Sequence, residues 1–393
     1  MLVTYREVFA ERSFRTLFAA QSLAVGAISL QIFALSVLVY TTTGSPLLSA
    51  VAFGAGFLPQ FAGGLLLGAL TDRLPPRPLI VAGYSVEVLL TAVLALADLP
   101  VGVSLALVAL VACGTPVFAG AAARVIADRL TGDAYVLGRS VSTMSSSAAQ
   151  LLGLAGGGVA VAAIGPRSAL LVASGCHLLA AVTVRFGLPA IAPAVVRAGR
   201  GGAVRDSLSG VRALLGDRVL RRLLLAQWLP LCFVVGAEAL LVAYAASRGF
   251  SPGAGAVLMG APAAGMLLGN FAVGRFLRPD QRERHTGTLL LLLGTPLVVL
   301  AVAPPLPVVA VLLVVSGIGL AFTLGLQRRF LEAAPEDRRG QVFALLSTGV
   351  MVFQGLGPLA LGALAEVTTP ATAIATAGLA VLLVVAVLRL RRV

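Results

Sequence analysis

The stretch GALTDRLPPRP, Gly68 to Pro78, sets one acid, Asp72, and two arginines, Arg73 and Arg77, into a tight turn between two apolar runs. Each flanking run is long enough to cross a bilayer, since about 20 helical residues cover about 30 Å of hydrocarbon. The turn therefore reads as a short charged connection at a membrane surface.

The rest of the chain repeats this pattern. Its 393 residues are 59% hydrophobic and only 11% charged, with a mean hydropathy of +1.00. A soluble domain cannot hide so much apolar surface beneath a polar coat, so the composition predicts an all-α polytopic membrane protein. Twelve apolar segments follow one another, at roughly 17–40, 47–70, 78–97, 101–125, 141–164, 168–186, 222–246, 253–276, 286–302, 307–327, 341–363 and 371–388. Each is expected to be continuous helix, because unpaired backbone groups are costly in lipid.

The arginines orient these spans. The chain has no lysine, and with a cytoplasmic N-terminus only Arg167 and Arg248 fall outside, as the positive-inside rule requires. An even number of crossings returns Arg389, Arg391 and Arg392 to the cytoplasm. The net charge of +13 is spread over short gaps between spans, which points to anionic lipid headgroups and not to nucleic acid. Arginine in place of lysine, with abundant Ala, Gly, Val and Leu, suggests a GC-rich bacterial genome and hence a bacterial cytoplasmic membrane. Cys113, Cys176 and Cys232 lie in apolar runs without paired spacing, and His177 and His285 are the only histidines. No disulfide framework, metal site or cofactor is expected.

One gap, residues 187–221, is far longer than the others. It begins Gly- and Arg-rich and turns amphipathic, with Leu208, Val211, Leu214 and Leu215 on one helical face and Asp206 placed as an N-cap. It divides an N-terminal six-helix bundle, 1–186, from a C-terminal one, 222–393. Sliding the chain on itself aligns Gly63 and Gly68 with Gly269 and Gly274. At a slightly smaller offset Arg124, Asp133, Gln150, Gly153 and Gly158 fall on Arg328, Asp337, Gln354, Gly357 and Gly362. Ordered matches of this kind support a parallel duplication. Small-xxx-small pairs at Gly64 and Gly68, Gly153 and Gly157, and Gly265 and Gly269 would let helix backbones approach closely, within a half or between halves.

These residues resemble the major facilitator superfamily, most nearly its bacterial drug-exporter branches. Gly68, Asp72, Arg73 and Arg77 match the signature loop between spans 2 and 3, whereas Pro75 and Pro76 depart from its small turn residue. In span 5 exporters carry Gly-Pro-x-x-Gly-Gly; this chain reads Gly153-Leu154-Ala155-Gly156-Gly157-Gly158, without the proline, while Gly357-Pro358 and Gly362 in span 11 keep it. Similarity extends through Arg6–Ala27 and Leu208–Leu225. The resemblance implies two pseudo-symmetric six-helix bundles, the major facilitator fold, around a cavity that opens alternately to either side. Spans 2, 5, 8 and 11 would meet between the bundles, placing Gly64, Gly153, Gly157, Gly265, Gly269 and Gly357 there. It also implies that Asp72 sits at the N-terminus of span 11, near Arg339 to Val342, where exposed N–H groups favour an anion. Arg73, Arg77 and Asp128 would complete a cytoplasmic latch. The alternative is a solvated turn that merely obeys the positive-inside rule.

Glu87 in span 3 and Glu238 in span 7 are the acids clearly within the membrane. A charge at that depth costs about 2.5–3.5 kcal/mol on insertion scales, which makes each a candidate for carrying a proton. Span 7 lines the cavity in the resembled fold, and Gln227, eleven residues before Glu238, returns to nearly the same helical face. A neutral acid bonded to backbone is the competing reading for Glu238, and packing for Glu87. Gln31, Gln150, Gln354 and Asn270 are further polar residues at membrane depth, suited to interhelical hydrogen bonds or to substrate, as are Ser145, His177 and Trp228. Related exporters carry an acid near Gly26; Ala27 stands there instead. Without a Gly-x-x-x-x-Gly-Lys loop the expected energy source is a proton gradient and not ATP. Few charges on the cavity helices suit small amphipathic or apolar substrates. The expectation is a monomeric secondary active transporter exporting such compounds with proton coupling; an uptake permease or a transporter-fold receptor are the alternatives.

Overall fold

The computed structural model describes residues 5–67, 74–130, 132–190, 214–251, 254–335 and 339–388. Gly68, Asp72, Arg73, Asp206, Leu208 and Val211 lie outside them. The described chain is helical throughout: α1 Tyr5–Ala10, α2 Arg12–Thr43, α3 Pro46–Gly54, α4 Phe57–Leu67, α5 Pro76–Leu96, α6 Val101–Arg129, α7 Gly132–Gly187, α8 Arg218–Ala239, α9 Leu241–Ser247, α10 Ala254–Phe276, α11 Pro279–Val299, α12 Leu306–Gly319, α13 Phe322–Ala333, α14 Arg339–Val367 and α15 Pro370–Val387. Eleven stretches are long and apolar enough to cross a membrane among the described residues. One of them, inside α7, is bent at Gly165, whose φ of 80° and ψ of 162° interrupt the helix. Glycine adopts that conformation without a Cβ clash, and Pro166 then opens the next span. Counting the two sides of this bend separately, the described residues hold twelve stretches of spanning length, the number expected of the fold.

Packing divides the chain into two compact units, Met1–Leu38 with Ala55–Arg197 and Val39–Gly54 with Ala198–Val393. Residues 39–54, counted with the first bundle by sequence, thus belong with the second. The reason lies in span 2, expected as one helix over 47–70. Ala55 and Gly56 form a turn that breaks it into α3 and α4. The first piece, α3, lies on α14, where a Cβ on Gly362 would come within 3.0 Å of the Ala50 Cβ. The second piece, α4, lies on α6 so closely that a Cβ on Gly63 would sit 1.8 Å from the Cys113 carbonyl oxygen.

In the first unit Phe14, Leu17, Ile80, Val125 and Val184 form part of a fully buried cluster that ties α2, α5, α6 and α7 together. In the second unit the helices pair through small residues: α10 and α12 through Gly265 and Gly317, α8 and α14 through Gly236 and Gly357. Arg328 and Arg329 of α13 bind the first turns of α11, Arg328 to Asp280 at 3.0 Å and Arg329 to Glu283 at 3.1 Å, and Arg328 also meets Glu332 at 2.9 Å. Arg328 is more than half exposed, and exposed pairs are worth only about 0.2–1 kcal/mol each. Arg328→Gln is therefore expected to lower the melting midpoint by a few degrees at most in a thermal-shift assay, without loss of fold.

Candidate functional site

Glu238 lies in the last turn of α8 and turns into the second unit, onto a narrow cavity lined by Val234, Leu241, Pro262, Leu297, Leu313 and Ser316. The volume open to the centre of a water molecule is about 10 Å³, about enough for one water. The Glu238 carboxylate makes no hydrogen bond among the described residues. Ser316 Oγ donates to the Leu293 carbonyl at 2.8 Å, so its lone pairs remain to accept from a protonated carboxyl or a water.

The other predicted residues do not gather around it. On α8, Gln227 is half-buried and lies three turns below Glu238, about 16 Å along the axis. Gln354 on α14 is half-buried and Asn270 on α10 is exposed. Trp228 is a packing residue: its Nε1 donates to the Leu346 carbonyl at 3.0 Å, its ring stacks on Phe353 at 5.6 Å, and the bare face of Gly349 receives it.

In the first unit, α2 and the first span of α7 run together. Ser22 and Ser145 share a 2.7 Å hydrogen bond, and Gly153 and Gly157 receive Gly26 and Leu30. Gln31 is buried beside this contact, and its Oε1 has no partner among the described residues. Gln150 is exposed. Glu87 on α5 is half-buried; its carbonyl accepts from Thr91 Oγ1 at 2.6 Å, and the next carbonyl, of Val88, accepts from Ser174 Oγ at 3.0 Å. His177, one turn on from Ser174, is fully buried with neither ring nitrogen paired among the described residues.

All six glycines expected between the bundles meet helices of their own unit: Gly64 meets Pro116, Gly153 and Gly157 meet α2, Gly265 and Gly269 meet α12, and Gly357 meets α8. Of the predicted latch, Arg77 donates to the Arg185 carbonyl and Asp128 is exposed near the end of α6; the remaining members lie outside the described residues.

One polar contact went unread in the sequence. Glu366, in the last turn of α14, accepts from Ser45 Oγ at 2.9 Å and from the Leu47 N–H at 3.2 Å. Ser45 Oγ in turn accepts from the Leu48 N–H at 3.1 Å. Together they satisfy the N-terminus of α3, whose orphan N–H groups favour an anion. Ser45-Pro46 is a recognisable helix start, but nothing local announces that its acid comes from span 11.

The sequence profile of the Major Facilitator Superfamily matches residues 17–326. Curated proteins provide no significant sequence match. Among solved structures, a POT family transporter in complex with a thioalcohol conjugated peptide is similar at a TM-score of 0.73 and 11% identity, over 96% of this chain and 95% of that one. The in meso structure of the POT family transporter PepTSo gives 0.72 and 13%, over 97% of each chain. A bacterial homolog of the human lysosomal transporter Spinster, inward-facing and unoccupied, gives 0.67 and 16%, over 97% and 95%. At these identities the likeness concerns the fold.

Proposed function

Since the chain belongs to the Major Facilitator Superfamily and is a multi-pass membrane transporter, we propose that it exports small amphipathic or apolar compounds across a bacterial cytoplasmic membrane, driven by protons and working by alternating access. Glu238 carries this reading. It is an acid at membrane depth, unbonded among the described residues, in a cavity with room for one water. Both N- and C-termini are assigned to the cytoplasm on the distribution of arginine. A peptide substrate, as in the POT complex, is the second reading. A zwitterionic peptide calls for a fixed cation at mid-depth to hold its carboxylate, and the arginines of this chain lie near span ends, which favours the apolar substrate. Accumulation of lipophilic dyes in a host lacking its own pumps should fall when the protein is expressed and recover with a protonophore. Unchanged accumulation across a broad panel would count against export.

Glu366 takes a part in this cycle. Its bonds to Ser45 and Leu47 hold α3 on α14. We expect Glu366→Ala to raise labelling of a cysteine placed at Leu48 by a membrane-impermeant maleimide severalfold. Equal labelling with and without the carboxylate would dissociate Glu366 from gating.

A further inference from the structure

We propose that the first unit carries a binding site for an anionic phospholipid at the mouth of a pocket between the start of α5 and the end of α7. The pocket measures about 540 Å³ and is lined by Arg77, Arg185, Pro78, Val81, Ala82 and Ala190, a size that admits a phosphate diester headgroup. Three arginines are found at this helix end. Arg77 donates to the Arg185 carbonyl, Arg12 Nη2 donates to the Phe186 carbonyl at 3.4 Å, and the Arg185 guanidinium lies 5.9 Å from the Phe186 ring centre. Helix-end carbonyls supply only a partial negative charge, and none of the three arginines is paired with a carboxylate among the described residues. A guanidinium has five N–H donors, so one bond to a carbonyl leaves most of Arg77's capacity unused. A phosphate in the pocket would take hydrogen bonds from Arg77 and Arg185, which both line it.

The apolar surroundings select a lipid over an inorganic anion. Above the pocket, α5 exposes Val86, Leu89, Val93 and Leu96 at helical spacing, and α7 exposes Leu178, Leu179, Val182 and Phe186. These two stripes rise from the arginines along the length of the span, as acyl chains would. Val81 and Ala82 continue the α5 stripe into the pocket floor. A headgroup bound by Arg77 and Arg185 thus leads its tails onto surface already apolar.

The test is native mass spectrometry of the purified full chain exchanged into defined mixtures of phosphatidylglycerol and phosphatidylcholine. The wild type should retain phosphatidylglycerol in preference, and millimolar inorganic phosphate should not displace it. Arg77→Gln with Arg185→Gln should reduce that retention about tenfold. Ala82→Trp, which fills the pocket without touching a charge, should do the same, so a folding defect in the arginine variant would not leave the question open. Retention at wild-type level in Ala82→Trp would overturn the site. Displacement by inorganic phosphate would overturn its assignment to a lipid.

Discussion

Gly357→Val is expected to yield no stable, monodisperse protein. A Cβ at Gly357 would lie 2.0 Å from the Cys232 carbonyl oxygen, and on the facing helix a Cβ at Gly236 would lie 2.6 Å from the Gly357 oxygen. Both obstacles are backbone, so no rotamer change relieves them. Overpacking of side chains against side chains costs about 1–3 kcal/mol; here α8 and α14 would have to separate, and in lipid no hydrophobic effect draws them back. Gly357→Ala should already lower the melting midpoint, and Val should abolish the monodisperse peak in fluorescence-detected size exclusion. The control is Gly175→Ala in α7, where a Cβ meets nothing within 4 Å. Alanine is favoured over glycine within a helix by up to about 1 kcal/mol, so that variant should melt at or above wild type. A Gly357→Val protein with an unchanged midpoint would show that α8 and α14 do not meet as described.

Glu238→Gln should abolish transport driven by an imposed pH gradient while sparing substrate exchange. Glutamine keeps the shape and hydrogen-bonding capacity of a protonated acid but cannot release a proton. If Glu238 is the carrier, the variant is frozen in its loaded form: counterflow of labelled substrate persists and gradient-driven accumulation falls to background. If Glu238 serves only to fill the cavity beside Ser316 and Leu313, glutamine should support both. The same pair of assays on Glu87→Gln separates the two acids, since Glu87 lies on α5 in the other unit.

The twelve crossings were legible because lipid imposes one rule on every span: an apolar helix of fixed minimum length. The gap between the apolar runs 141–164 and 168–186 was legible too, and the bend at Gly165 falls in it. The break at Ala55–Gly56 was not. Span 2 reads as continuously apolar through Phe53 and Phe57, and its two pieces pack on different helices, α3 on α14 and α4 on α6, a tertiary matter. The small-residue pairs were visible as motifs, yet their partners were not: a glycine marks a close approach without naming the helix that approaches. Glu238 and Glu87 stood out because acids are costly in a membrane. Glu366 did not, because an acid near a span end is commonplace, and its meaning comes from Ser45 and Leu47, 321 and 319 residues away. The silence of His177 is of the same kind, since a lone histidine in an apolar span gives no sign of whether it will find a partner.

Proton-driven export is tested most directly by transport with the purified protein in proteoliposomes, with a lipophilic dye as substrate and a pH gradient as the sole driving force. Dye should move opposite to the proton flux, and that movement should collapse with a protonophore and be absent in Glu238→Gln. Dye that binds the protein yet crosses under no gradient of either sign would contradict proton-driven export.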